Sequence, residues 1–308
     1  MSRPLDRLSL LETFARIAER GSITAAARDL GLSQASASRQ LKELEDRLGA
    51  QLVRRTTHAL SLTPAGQDVL RDAGALIAGW SAFEERHGAP DREVKGRMKV
   101  VAPVALGQLH LADIALGFQL AHPGVTIAWQ LDDDPIRFAE LGCDCWIKVG
   151  DVPDETLILR ELGRVERLLV AAPALLGSRR LRGPEDLAAW PCAALDPFEG
   201  GRIGLTSRGG RTARIAPEVR VSTNNIFALH RAALRGVGFA VLPRWFVQDD
   251  LDAGRLVDLL PAWRPATLTI GVAYLPARHQ PRRLTLFLQA LASGIGAIPG
   301  IAPASPGA

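Results

Sequence analysis

The sequence predicts an N-terminal winged helix-turn-helix, then a long linker helix, then an α/β module in which strands alternate with helices. Three observations predict it. Residues 22–55 specify a short helix, a tight turn, a longer helix and a basic hairpin. Val69, Ala73, Leu76, Trp80 and Phe83 recur at four, three, four and three, a heptad-like seam. From Lys99 to Ala292 short apolar runs alternate with helical patterns, the order expected of a mostly parallel sheet with helices on both faces.

In the first module, Leu8, Leu11, Phe14, Ile17 and Ala18 make an amphipathic opening helix. Ser22 stands at an N-cap position, and Ile23, Ala26, Ala27 and Leu30 follow at helical spacing until Gly31. Ser33 supplies a second N-cap oxygen. Ala37, Leu41, Leu44 and Leu48 then form one stripe that Gly49 ends. With that stripe turned inward, Gln34, Ser36, Ser38, Arg39 and Lys42 are left on the outer and N-terminal side, the part a recognition helix presents to base edges. The turn is only Gly31, Leu32 and Ser33, as a helix-turn-helix requires. Val53 to Arg55 and residues 59–62 read as two strands around Thr56, Thr57 and His58, a wing that carries Arg54 and Arg55 to phosphates. An ordinary helical bundle with a solvated charged face is the competing explanation.

Thr63-Pro64 is an N-cap followed by a first-turn proline, and opens the helix that bears the seam. That seam packs against either a partner helix or another part of the same chain. Charge agrees with a nucleic-acid partner for the N-terminal module: residues 1–65 hold ten Lys or Arg against seven Asp or Glu, an excess of three within a chain of net charge +4.

The 308 residues, 47% hydrophobic, suffice for more than one domain. The first ten residues carry charges and no signal-peptide core, and no apolar run of membrane-spanning length is read from the sequence, so a cytoplasmic protein with no membrane partner is expected. Three cysteines are too few for a disulfide framework in a chain of this length. Cys143, Cys145 and Cys192 read as buried core thiols, with a redox or metal role as the alternative. No G-x-S-x-G or H-E-x-x-H motif occurs, and the six histidines lack metal-ligand spacing. Gly236-Val237-Gly238 lacks the third glycine of a dinucleotide fingerprint and follows a helix. A non-enzyme without cofactor is therefore expected. The alternatives are an uncharacterised enzyme, or a small-molecule-binding or transport-associated α/β protein that does not bind DNA.

The N-terminal residues resemble the LysR-type transcriptional regulators. The resemblance is carried by Leu11-x-x-Phe14, Ala18-Glu19-x-Gly21-Ser22, Ala26-Ala27-x-x-Leu30, Leu32-Ser33-Gln34, Ser38-Arg39, Leu44-Glu45-x-x-Leu48-Gly49, Arg54-Arg55 and Leu62-Thr63-x-x-Gly66. The chain departs from many members at Ala35, often Pro, and at Val53, often Phe. More loosely, Val101-Ala102-Pro103-Val104-Ala105-x-Gly107, Phe118-x-x-x-His122-Pro123, Asp144, Lys148-Val149-Gly150, Gly236-x-Gly238 and Leu242-Pro243 fall in the family's order.

That resemblance implies a two-lobed, periplasmic-binding-protein-like effector domain, paired linker helices in a homodimer or homotetramer, a small-molecule co-inducer, promoter DNA as partner and RNA polymerase as a candidate partner. The divisions it suggests are 1–63 for DNA binding, 64–93 for linker and hinge, and 94–295 for the effector domain. Within the last, lobe I covers about 94–166 and 263–295 and lobe II about 167–262; residues 296–308 read as a flexible tail.

Arg39 is the first choice for a groove contact, with Gln34, Ser36 and Ser38 setting preference and Ser33 at the cap. Arg28, Lys42, Arg54 and Arg55 are the phosphate candidates. An effector belongs at the C-terminal ends of strands, near helix N-termini. Pro103, Val104 and Ala105 follow the first strand, and Thr223 and Asn224 precede a later helix. Trp146, Lys148 and Arg202 supply an aromatic wall and cations suited to an organic or aromatic carboxylate. Each also has a structural reading: Thr223 as a simple cap, Trp146 as core, Lys148 and Arg202 as solvated charges.

Overall fold

The computed structural model describes residues 6–55, 60–87, 93–152, 154–196, 201–277 and 280–304. It divides into two units, Met1–Gly96 with Ile136–Cys143 and Ala277–Thr285, and Arg97–Pro135 with Asp144–Pro276 and Leu286–Ala308.

In the first unit, α1 (Arg7–Arg20) starts on Asp6, whose carboxylate accepts from the Leu8 N–H, and stops at Gly21 in the left-handed region. Its buried face is Leu10, Thr13, Phe14 and Ile17, so Leu8, Leu11 and Ala18 flank the core instead of forming it. Ser22 caps α2 (Ile23–Asp29) by accepting from the Ala25 N–H, and Gly31 turns the chain with φ +65°. Ser33 caps α3 (Gln34–Leu48) through the Ser36 N–H at 3.1 Å. Ala37, Leu41 and Leu44 are buried as expected; Leu48, on the last helical turn, is 49% exposed. These helices share one core with Leu52 and Val53.

The hairpin pairs β1 (Val53–Arg55) antiparallel to β2 (Leu60–Leu62) in the register Val53↔Leu62 and Arg55↔Leu60. Its expected tip, including His58, lies outside the described residues. A Glu45 carboxylate oxygen accepts from the N–H groups of Leu52 and Val53 at 2.8 and 3.3 Å, tying the start of the hairpin to α3. The Thr63 hydroxyl donates to the Gln51 carbonyl at 2.6 Å and accepts from the Gly66 N–H at 2.9 Å, which begins α4 (Pro64–His87) against the wing. Gly66 is required by close approach: a Cβ there would lie 2.0 Å from the Leu52 carbonyl oxygen.

In the second unit, β3 (Gly96–Ala102) leads into a continuous helical run of α5 (Val104–Leu106), a π-helical turn and α6 (Ala112–Ala121). Contrary to the expectation from sequence, this run, Val104–Ala121, is an 18-residue stretch of helix long and apolar enough to cross a membrane by length and composition. It buries Leu106, Leu111, Ala115 and Phe118, carries Asp113 and His110, and packs Phe118 edge-on to Phe287. One face of the run therefore packs in the core of this unit, while Leu109, Leu116 and Leu120 remain exposed.

The chain continues through β4 (Val125–Leu131), α7 (Phe138–Leu141), β5 (Cys145–Val149), β6 (Ile158–Val165) and β7 (Arg167–Ala171). Next come α8 (Pro173–Leu176), β8 (Pro191–Leu195), β9 (Ile203–Ser207), β10 (Thr212–Ile215), β11 (Glu218–Thr223), α9 (Ile226–Leu234) and β12 (Ala240–Pro243). The last elements are α10 (Arg244–Asp252), β13 (Val257–Asp258), β14 (Trp263–Pro265), β15 (Leu268–Tyr274), α11 (Arg282–Ile295) and β16 (Ile301–Pro303).

A six-stranded sheet in the order β16-β6-β15-β5-β3-β4 forms one lobe, and β7 to β14 form the other. The expected parallel sheet is in fact mixed. The β3–β5 and β8–β11 pairs are parallel, whereas β15 runs antiparallel to both β5 and β6. The reason is topological: β6 carries the chain out of the first lobe and β15 carries it back, so they run in opposite senses.

Two expected boundaries can be set against the strand pairing. Trp263–Pro265 pairs with β9, which places the return to the first lobe just after Pro265, within two residues of the approximate position expected. The expected flexible tail includes β16, which pairs with β6 through Ile301↔Val165, with Ile298 and Ile301 buried. Its Gly, Ala and Pro content masked two apolar anchors. Gly163 permits the approach, since a Cβ there would sit 2.9 Å from the Ala302 carbonyl oxygen.

Candidate nucleic-acid interface and effector site

On α3, Gln34, Ala35, Arg39 and Lys42 are exposed and Ser38 is half-buried, on the side away from Ala37, Gln40, Leu41 and Leu44. The Ser33 hydroxyl is spent on the cap and donates to the Ser36 hydroxyl at 2.9 Å, so Ser33 supports the helix start and Ser36 keeps its own proton to donate. Gln34, Ser38 and Arg39 hold their polar groups clear of any such bond among the described residues.

Ion pairing separates two groups of cations. Arg16 pairs with Glu19 at 2.8 Å, Arg20 with Asp29 at 3.3 Å, and Arg47 with Glu43 at 2.5 Å, which neutralises the sides of the module. Arg28, Arg39, Lys42 and Arg54 are exposed and make no ion pair among the described residues. Arg7 of α1 is likewise exposed and makes no ion pair among the described residues, so the unpaired cations include, but are not limited to, the four named from the sequence. The Arg55 backbone pairs with Leu60, while its side chain lies outside what is described.

The recognition helix is also fixed from behind. Thr13 of α1 and Gln40 of α3, both buried, share a hydrogen bond of 2.5 Å. Sequence reasoning missed this pair because neither residue belongs to an apolar stripe.

On α4, Ala73 is buried, whereas Leu76, Trp80 and Phe83 are 60%, 48% and 45% exposed, and the last two rings stack at 5.4 Å. From Leu76 onward the seam therefore keeps much of its apolar surface in solvent within the single chain.

The predicted effector residues divide into three groups. Pro103 precedes α5, and Val104 and Ala105 begin it, but the Val104 N–H is already taken: it donates to the Asp133 carboxylate at 2.9 Å. Lys148 donates from Nζ to the Asp133 carbonyl at 2.9 Å and lies 5.6 Å from the Trp146 ring centroid, so Asp133 links Lys148 to Val104 in front of the buried indole. Trp146 itself is buried, and its indole N–H has no acceptor among the described residues. Asp133 was overlooked in the sequence, where Asp132-Asp133-Asp134 after a strand was the available signal.

In the other lobe, the helix cap is Asn225, not Thr223: its side-chain oxygen accepts from Phe227 and Ala228 N–H groups. The Thr223 hydroxyl accepts from the Asn225 N–H at 3.1 Å, so it braces the cap. Asn224 is exposed with its amide uncommitted among the described residues. Arg202 stands apart from this group, exposed just before β9, on the β10-β9-β14 sheet instead of the β8–β11 pair that carries Thr223.

The glycines that suggested a cofactor motif are packing devices. A Cβ on Gly238 would meet the Pro191 carbonyl oxygen at 2.7 Å, and Gly236 ends α9 with φ +69°. All three cysteines are buried, and burial pushes the Cys192 thiol up to about 12, which suppresses the reactive thiolate. Among the described residues no group of three His, Cys, Asp or Glu is placed to hold a metal ion.

Comparison with known proteins agrees with this geometry. Residues 8–67 match the family described as bacterial regulatory helix-turn-helix protein, lysR family, and residues 91–295 match the LysR substrate binding domain. The transcriptional regulator PtxR of Pseudomonas aeruginosa is 31% identical over 97% of this chain and 98% of its own length. The full-length Vibrio cholerae virulence activator AphB is similar at 25% identity and TM-score 0.56, covering 94% of this chain and 99% of AphB. A full-length OxyR variant of Pseudomonas aeruginosa shares the fold at TM-score 0.72 and 16% identity, covering 99% of this chain and 100% of its own.

Proposed function

The chain belongs to the LysR-type family of transcriptional regulators, a DNA-binding helix-turn-helix joined to an effector-binding domain, and from that premise we propose how it divides the work. Arg39 reads base edges in the major groove, assisted by Gln34, Ser36 and Ser38, while Arg28, Lys42, Arg54 and Arg55 hold phosphates. The observation that supports this reading is placement together with pairing: Arg39 and Lys42 on the outer face of α3, Arg28 at the end of α2 and Arg54 on the hairpin are exposed and unpaired among the described residues, while Arg16, Arg20 and Arg47 are neutralised.

Two copies pair along Leu76, Trp80 and Phe83, so that two recognition helices meet a partly palindromic promoter site. The effector is a small organic molecule held between the Asp133–Lys148 segment, backed by the buried Trp146, and the Thr223–Asn224 turn. If it carries a carboxylate, that group meets Lys148 or the Asn224 amide, because Asp133 occupies the Val104 N–H. The cytoplasm is the compartment this role requires, and RNA polymerase is the partner through which an activator of this kind would act. A mobility-shift assay on the chain's own upstream promoter tests the reading. Retention of a two-half-site fragment over a single half-site is expected, and equal retention of unrelated DNA would refute it.

A further inference from the structure

The two lobes are joined by two crossovers, and one carboxylate holds both. Glu166 is the single residue between β6 and β7. Its Oε2 accepts from Arg244 Nε at 2.6 Å, and its Oε1 accepts from Arg264 Nε at 3.1 Å. Arg264 stands one residue before the end of β14, on the returning crossover, and also pairs with Asp258 at 2.9 Å. Arg167 Nε adds a direct tie between the crossovers by donating to the Ala266 carbonyl at 2.7 Å.

Arg244 is the first residue of α10, and its backbone N–H donates to the Glu166 carbonyl at 2.8 Å. The next residue, Trp245, meets His110 of the first-lobe helix edge-on at 5.3 Å. Gly300, just before β16, closes on the same point: a Cβ there would lie 3.0 Å from the Trp245 nitrogen. The first turn of α10 is thus held to both crossovers by Glu166, to the first lobe by Trp245, and to the C-terminal segment at Gly300.

We propose that Glu166 is a positioning residue that pins the first turn of α10 to both crossovers, making that turn the pivot about which the lobes rotate and setting their resting angle. The chemistry suits the task. A carboxylate between two guanidinium groups keeps two charge-assisted bonds only while both crossovers hold their relative place. Rotation about the pivot breaks one bond before the other, so the pair resists turning in discrete steps rather than smoothly. The consequence for DNA rests on the regulator reading; the pivot itself does not.

Hydrogen exchange on the full chain, comparing parent, Glu166→Gln and Glu166→Asp, tests it. Glu166→Gln keeps the shape and removes the charge, while Glu166→Asp keeps the charge but is too short to span both arginines. Exchange in residues 164–168 and 263–268 is expected to rise roughly tenfold in Glu166→Gln and less in Glu166→Asp, with β5 and β12 unchanged. Unchanged exchange at the crossovers overturns the proposal, and so does a uniform rise across β7 to β14, which would mean simple loss of stability. A promoter mobility shift on the same proteins reports separately on the regulator reading: altered exchange with parental DNA binding leaves the pivot standing and detaches it from DNA control.

Discussion

The Thr13 hydroxyl lies 2.5 Å from the side-chain oxygen of Gln40, joining α1 to the back of the recognition helix inside an otherwise apolar core. Removing one partner strands the other away from water. Thr13→Val or Gln40→Ala is expected to cost about 1–3 kcal/mol of local stability, and Thr13→Val with Gln40→Leu to recover part of it. Amide exchange in α1 and α3 measures the change; additive single and double effects would show the two residues to be energetically independent.

Gly66→Ala should damage the junction between wing and linker helix. The new methyl has to displace the Leu52 backbone, since it starts 2.0 Å from that carbonyl oxygen. A loss of about 1–3 kcal/mol or more is expected, with weakened binding to every DNA sequence because the wing moves with Leu52. Thermal unfolding together with a mobility shift reads both effects.

Arg39→Ala and Arg54→Ala should fail in different ways. The first is expected to cost about 1–3 kcal/mol on the cognate site and to relax preference at one position. The second should weaken all sequences alike and reduce the salt slope by about one. Parental behaviour from both variants in salt titrations would remove these residues from the interface.

Trp80→Glu places a charge within the exposed seam beside Phe83. Dissociation to monomer at micromolar concentration is expected in sedimentation, with the winged module still folded and able to hold only a half-site. A variant that sediments like the parent would locate the pairing surface elsewhere.

Asp133→Ala frees the Val104 N–H. Weak binding of benzoate at that end should improve on the order of tenfold relative to the parent, while binding of the neutral isostere benzamide should not. The Val104 amide resonance during titration is the local reporter, and equal response in parent and variant counts against the assignment.

Much of the N-terminal module was legible because its information is local. Caps at Ser22 and Ser33, left-handed stops at Gly31 and Gly49 and the stripe through Ala37, Leu41 and Leu44 each act within a turn or two of the chain. What escaped depends on distant partners. Thr13 and Gln40 are polar and 27 residues apart, so no periodicity marks them as core. The exposed start of β6 at Ile158, Leu159 and Arg160 hid a strand whose pairing is decided by β15 and β16. Val104 follows the first strand as expected, but the helix begins at Val104 itself, and whether its N–H is open depends on an aspartate 29 residues later. Glu166, Arg244 and Arg264 look in sequence like ordinary solvated charges, and only the return of the chain brings them together.

The pairing of β16 with β6 also orders events during synthesis. The winged module and the lobe built from β7 to β14 each have all their strands once their own stretch of chain has emerged, whereas the six-stranded sheet waits for Ile301–Pro303, made after both. A nascent chain can therefore possess a finished DNA-reading head while its sensing half still has an open strand edge. Closure of that edge is the last step in completing the six-stranded sheet.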